Sequence, residues 1–85
     1  MKPVTVYTTD ACSHCRTAED FLTQRSIPFD AINLARDTEG REKLIKITGR
    51  MSFPQIVIND LPIGGLAELV QAEQDGTLEK LLPDG

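Results

Sequence analysis

Both cysteines of this chain fall in Cys12-Ser13-His14-Cys15, separated by two residues, and its only histidine stands between them. Three chemistries use such a pair: a metal clip, a structural staple and a reversible dithiol–disulfide couple. A structural zinc ion takes about four nitrogen, sulfur or oxygen ligands, and Cys-x-x-Cys supplies two. His14 lies inside the motif and splays away from a shared metal, and no second Cys or His lies elsewhere. Closing a zinc site would therefore take carboxylates or a second chain. A disulfide across so short a loop constrains the unfolded chain very little. The redox couple gains from its position.

That position is set by the elements on either side. "VTVYT" (Val4–Thr8) is β-branched, aromatic and uninterrupted, the signature of a buried strand. Beyond the cysteines, Ala18, Phe21 and Leu22 recur at i, i+3, i+4, the core stripe of an amphipathic helix. Cys12 thus directly follows a strand and opens a helix. Unpaired N–H groups and the helix dipole favour negative charge there, and thiols so placed ionise below the ordinary thiol range. Cys15, one turn further in and less exposed, suits the resolving role. His14 carries two readings: an imidazolium that stabilises the thiolate and makes the disulfide more oxidising, or a solvated side chain that tunes nothing. Asp10 opposes the first, since a nearby carboxylate disfavours a second negative charge.

The remaining chain alternates in the same way. Ser26 and Pro28 end the first helix, and "FDAIN" (Phe29–Asn33) alternates as a second strand. Asp37 and Thr38 are N-cap residues for a helix carrying Leu44, Ile45 and Ile47, stopped near Gly49. "QIVIN" (Gln55–Asn59) is a third strand, and Asn59-Asp60 a tight turn into a short fourth, Leu61–Ile63. Gly64-Gly65 open a last helix with Leu66, Leu69 and Val70, and Leu78, Leu81 and Leu82 repeat that spacing beyond Gly76. The order β-α-β-α-β-β-α makes the early, helix-separated strands parallel and the last two antiparallel. The predicted architecture is α/β: a four-stranded mixed sheet with helices on both faces, the pattern of the thioredoxin fold.

Eighty-five residues are expected to form one domain, spanning 1–85, with a core of roughly two layers. The net charge of −4 argues against nucleic acid or an anionic membrane as the main partner. Met1-Lys2-Pro3 runs straight into a strand-like stretch with no signal-peptide core, and Ile56-Val57-Ile58 is too short to span a membrane. The expected location is the cytoplasm and the expected state a monomer. In a reducing compartment a lone cysteine pair is catalytic or metal-binding more often than a staple.

Three segments line up at this point: Cys12-x-x-Cys15 after the first strand, Pro54 before the third, and Gly64-Gly65 opening the last helix. Together with "TGRMSFPQIVIND" (Thr48–Asp60), they resemble the glutaredoxin family over nearly the whole chain. The resemblance implies a glutathione-dependent thiol–disulfide oxidoreductase that reduces protein disulfides and glutathione mixed disulfides, with Cys12, Cys15 and His14 at its catalytic centre. It implies that Pro54 is cis, leaving the Phe53 N–H and C=O to hold the cysteinyl unit of glutathione as a short added strand. The N–H groups after Gly65, near Leu66 and Ala67, would receive the γ-glutamyl carboxylate at a helix N-terminus. Arg41 matches a position that meets the glycyl carboxylate. Thr9 stands where many members carry a lysine. The partners so implied are glutathione and disulfide-containing or glutathionylated proteins.

The departures define the alternatives. Thr9 replaces that lysine, His14 an aromatic residue, and Ala67 an aspartate that binds the glutathione ammonium, with Glu68 beside it. A charge-assisted hydrogen bond contributes about 1.5–3 kcal/mol when well formed. Glu68 is either a substitute acid or a helix N-terminal charge with no ligand. Two missing contacts fit a glutaredoxin-like redoxin fed by thioredoxin reductase, whereas the retained Gly64-Gly65 fits glutathione. Ser13, where other members have proline, fits a third reading, in which Cys12 and glutathione from two chains bridge a [2Fe–2S] cluster. No other metal site is expected. Tyr7 and Phe53 read as packing before recognition, and Gly64-Gly65 also reads as a plain turn. Lys43, Lys46 and Arg50, sharing a helix face with Arg41, read as a solvated face that could also steer an anionic partner.

Overall fold

The computed structural model describes residues 3–82. Every residue of Val4–Thr8 is β-branched or aromatic, and the segment forms β1, with Val4, Val6 and Thr8 buried and Thr5 and Tyr7 half-buried. It is followed by α1 (Ser13–Gln24), β2 (Phe29–Asn33), α2 (Thr38–Thr48), β3 (Gln55–Ile58), β4 (Leu61–Gly64), α3 (Leu66–Gln74) and α4 (Thr77–Leu81). The helix ends obey local chemistry. Asp37 caps α2 by accepting the Gly40 N–H at 2.8 Å, and Gly49 closes it in the left-handed region at φ 73°. Asn59 and Asp60 both have positive φ, as a two-residue type I′ hairpin requires.

The sheet order is β2-β1-β3-β4, giving the expected four-stranded mixed sheet with helices on both faces. Val4 and Val6 of β1 pair with Ile58 and Ile56 of β3. These four pack against Ala18 and Leu22 of α1, Leu69 and Ala72 of α3 and Leu78 of α4. Burying each large aliphatic side chain contributes about 1.5–3 kcal/mol. Arg25, just past α1, stacks its guanidinium 3.6 Å from the Phe21 ring centroid and pairs with Glu73, tying α1 to α3.

Four expectations are corrected. β1 and β2 are parallel, but β3, also reached through a helix, runs antiparallel to β1. The α2 connection delivers the chain to the end where β1 finishes, so β3 starts beside Tyr7 and runs back towards Val4. That reversal carries Pro54 to the point where the cysteine loop departs. The last helical stretch is two helices, because Gly76 at φ 82° breaks the backbone between α3 and α4. Ile47 is 53% exposed: α2 buries only Leu44 fully, a narrower stripe than the pattern suggests. β2 is an edge strand with only Phe29 partly buried, so its alternation does not correspond to a buried face.

Candidate active site

Between β1 and α1 the chain turns at Ala11, whose φ of 52° is left-handed. Cys12 follows in extended geometry as the N-cap of α1, and its Sγ accepts the backbone N–H of Cys15 at 3.1 Å. The sulfur therefore takes the place that a Ser or Asp oxygen holds at an ordinary helix start. Cys12 and Cys15 are joined as a disulfide, their Cα atoms 5.2 Å apart. The two sulfurs are not equivalent. Cys15 is 2% exposed beneath the first turn, whereas Cys12 is half-exposed at its rim. Ser13 and His14 project into solvent. Asp10 is held at the end of β2, where Asn33 Nδ2 donates to its Oδ1 at 3.0 Å.

The Phe53–Pro54 peptide is cis, as the resemblance implied, and Pro54 is buried. Gln55 anchors the turn before it, donating from Nε2 to Ser52 O at 2.9 Å and Ser52 Oγ at 3.1 Å. Phe53 is half-buried and lines a groove with Arg41, Leu44, Ile45, Arg50 and Met51. Arg41 and Phe53 thus line the same groove. Gly65 lies on the other side of the proline, so near it that a Cβ there would stand 3.2 Å from Pro54 O. Leu66 is half-buried against the core and Ala67 is exposed. Thr9 is half-exposed in the loop before the cysteines.

Glu68 lies at the start of α3. Its Oε1 accepts the Gly65 N–H at 2.7 Å, capping α3, and lies 3.2 Å from Arg50 Nη1. The Gly65 N–H holds the Glu68 carboxyl below the ordinary carboxylate range, aided by Arg50 and opposed by partial burial. Glu68 is a helix cap, engaged with its own chain. Arg50 also departs from expectation. Gly49 ends α2 in the left-handed region, so Arg50 leaves the helix face of Arg41, Lys43 and Lys46 and turns towards α3. The Arg50–Glu68 contact had no local signal, since the two residues are eighteen apart.

Among the described residues no three or more His, Cys, Asp or Glu side chains converge as a metal site. Nor is any described helix long and apolar enough to cross a membrane.

A four-stranded mixed sheet carrying a cysteine pair at the cap of its first helix defines a class, the thiol–disulfide oxidoreductases of the thioredoxin superfamily. The Glutaredoxin family model matches residues 4–63. Glutaredoxin 3 of Escherichia coli K12 is 33% identical over 82 residues, covering 96% of this chain and 99% of its own. The solution structure of glutaredoxin from Brucella melitensis superposes with a TM-score of 0.81 at 33% identity, over 96% of this chain and 89% of that one. A buckwheat glutaredoxin–glutathione complex shares the fold, with a TM-score of 0.85 at 24% identity over 95% of this chain and 76% of that one. The chain belongs to the glutaredoxin family.

Proposed function

We propose that this glutaredoxin-family protein uses glutathione to reduce protein disulfides and glutathione mixed disulfides, with Cys12 as nucleophile and Cys15 as resolving thiol. The observation that carries the reading is the asymmetry of the pair. Cys12 is reachable and sits at a helix cap whose N–H groups favour a thiolate, whereas Cys15 is buried beneath it.

The Cys12 thiolate attacks one sulfur of a substrate disulfide, the other sulfur leaves as a thiolate and takes a proton, and a mixed disulfide forms. When the substrate is a protein disulfide, Cys15 loses its proton and attacks Cys12 Sγ. The substrate leaves as a dithiol, and the Cys12–Cys15 disulfide remains. One glutathione thiolate reopens that disulfide at Cys12, and a second attacks the resulting mixed disulfide. Oxidised glutathione leaves, and two electrons have passed to the substrate. When the substrate is glutathionylated, Cys12 attacks the glutathione sulfur, the protein thiol leaves, and the second glutathione completes the cycle without Cys15.

Phe53, Pro54 and Arg41 supply the recognition in this reading. The backbone of Phe53 before the cis proline pairs with the tripeptide, and Arg41 at the groove meets its glycyl carboxylate. The backbone N–H groups of Leu66 and Ala67 at the start of α3 meet the γ-glutamyl carboxylate. The buckwheat protein that shares this fold is itself a glutathione complex, in keeping with glutathione as the ligand class proposed here. A [2Fe–2S] cluster takes four thiolates in its common form, which Cys12 and one glutathione from each of two associated chains would supply. No observation favours the cluster reading.

The testing experiment is turnover of a glutathionylated substrate, coupled to NADPH through glutathione and glutathione reductase or through thioredoxin reductase alone. The proposal expects turnover in the first system. Turnover only in the second would replace glutathione with thioredoxin reductase as the donor.

A further inference from the structure

The cysteine loop leaves the end of β1 between two neighbours: β3, preceded by Pro54, and β2, which ends at Asn33. The β2 side carries a polar bridge of its own. Asn33 Oδ1 accepts the Ala35 N–H at 2.8 Å, which fixes the end of the amide that turns outward. The other end, Nδ2, donates to Asp10 Oδ1 at 3.0 Å. Asp10 stands two residues before Cys12.

The start of α1 differs from the other helix starts. α2, α3 and α4 carry Glu39, Glu68 and Glu79 in their first turns, whereas α1 carries no acid there. Its cap is the Cys12 sulfur, which accepts the Cys15 N–H at 3.1 Å. Unpaired N–H groups at such a terminus attract a carboxylate as readily as a thiolate. Asp10 is the acid nearest in sequence to that terminus, and Asn33 holds it on the β2 side.

We propose that Asn33 is a positioning residue of the disulfide exchange, withholding the Asp10 carboxylate from the start of α1 and leaving those N–H groups to the Cys12 thiolate. The inference rests on Cys12 as the nucleophile, the reading given above. Released from Asn33, the carboxylate competes with the thiolate for the same donors and brings a like charge towards it. The thiolate then forms less readily, and its attack slows. Asn33 acts wholly through Asp10, so it matters only while residue 10 is an anion. Other charged groups surround Cys12: His14 and Arg16 in the first turn of α1, Arg36 and Asp37 lining one hollow with Asp10, and the Arg50–Glu68 pair beyond Pro54. All of them are kept in the variants compared below.

The test follows alkylation by iodoacetamide across pH, in the full-length Cys15→Ser protein, where Cys12 is the one thiol. Asn33→Ala and Asp10→Ala are introduced into this parent singly and together. Both side chains are exposed, so both truncations leave the core intact. On the acid side of the titration midpoint, Asn33→Ala is expected to react about two- to fivefold more slowly than the parent. Asp10→Ala is expected to react as fast as the parent or faster, and the double variant to match Asp10→Ala. A bridge that merely shapes the loop gives another pattern, in which Asp10→Ala slows the reaction as Asn33→Ala does, and that result overturns the proposal. A loss that persists in the double variant overturns it too. If Cys12 of the parent titrates as an ordinary thiol, the nucleophile reading falls together with the inference. A parent thiol that ionises below the ordinary range, and that Asn33→Ala leaves unmoved, removes the inference alone.

Discussion

Gly65 lies so close to Pro54 that a Cβ on it would stand 3.2 Å from the proline carbonyl oxygen. This contact joins the start of α3 to the segment bearing the cis peptide. Gly64 is constrained differently, by a φ of 115° and by Glu68 atoms 2.7 Å from where its Cβ would be. Gly65, at φ −97°, has a backbone that any residue adopts. Gly64→Ala is therefore expected to cost about 1–3 kcal/mol of stability. Gly65→Ala is expected to cost about 1 kcal/mol, as an overpacking near the low end of the usual range. Urea denaturation of both variants checks the order, and equal costs would contradict it.

The Glu68 cap gives stability a pH dependence of definite sign. Its folded-state value is lowered below the ordinary 4.5, chiefly by the Gly65 N–H, so it binds its proton less readily folded than unfolded. Its contribution is fully present above pH 4.5 and is lost as the pH falls through the lowered value. The side chain is 43% exposed, so the contribution is screened to about 0.5 kcal/mol. Wild type is expected to exceed Glu68→Gln by that amount at neutral pH, with the gap closing below pH 4.5. Asp75, whose value is lowered by its hydrogen bonds with Thr77, moves stability in the same direction in both proteins. A gap that widens in acid would contradict the assignment.

The core under the site rests on α1 meeting the sheet. Leu22 is fully buried among Val4, Val6 and Ile56, while Leu61 on the edge strand is 50% exposed. Leu22→Ala is expected to cost about 2–5 kcal/mol through transfer and cavity terms. Leu61→Ala is expected to fall within about 0.5 kcal/mol of wild type. Thermal denaturation decides, and comparable losses would contradict the core as described.

His14 stands exposed on the first turn of α1, between the two sulfur-bearing residues. A cationic ring there stabilises the Cys12 thiolate and so the reduced pair. His14→Tyr is then expected to make the couple more reducing, by about 30 mV for each tenfold change in its equilibrium constant. Equilibration against glutathione measures this, and an unchanged potential would show that His14 tunes nothing.

Features encoded over short range were legible before the structure. The β-branched run Val4–Thr8, the caps Asp37 and Gly49 and the Asn59-Asp60 turn each depend on neighbours a few residues away, and each forms where it was expected. The cysteine pair and its helix cap were legible for the same reason. The direction of β3 was not, because it depends on which end of β1 the α2 connection returns to, a choice no local pattern records. Arg50 and Glu68 were visible as charges, but their pairing depends on α2 ending at Gly49 and on α3 starting beside Pro54. The ionic part of the groove belongs to tertiary packing, and the redox pair to sequence.

The central claim is the division of labour between Cys12 and Cys15, and the most direct measurement is covalent trapping in Cys15→Ser. Incubated with a glutathionylated peptide, this variant should release the peptide thiol and gain one glutathione, located at Cys12 by mass spectrometry of the digested protein. Cys12→Ser, treated identically, should gain none. An adduct on Cys15 in the Cys12→Ser protein, or none on Cys12 in the Cys15→Ser protein, would contradict the account.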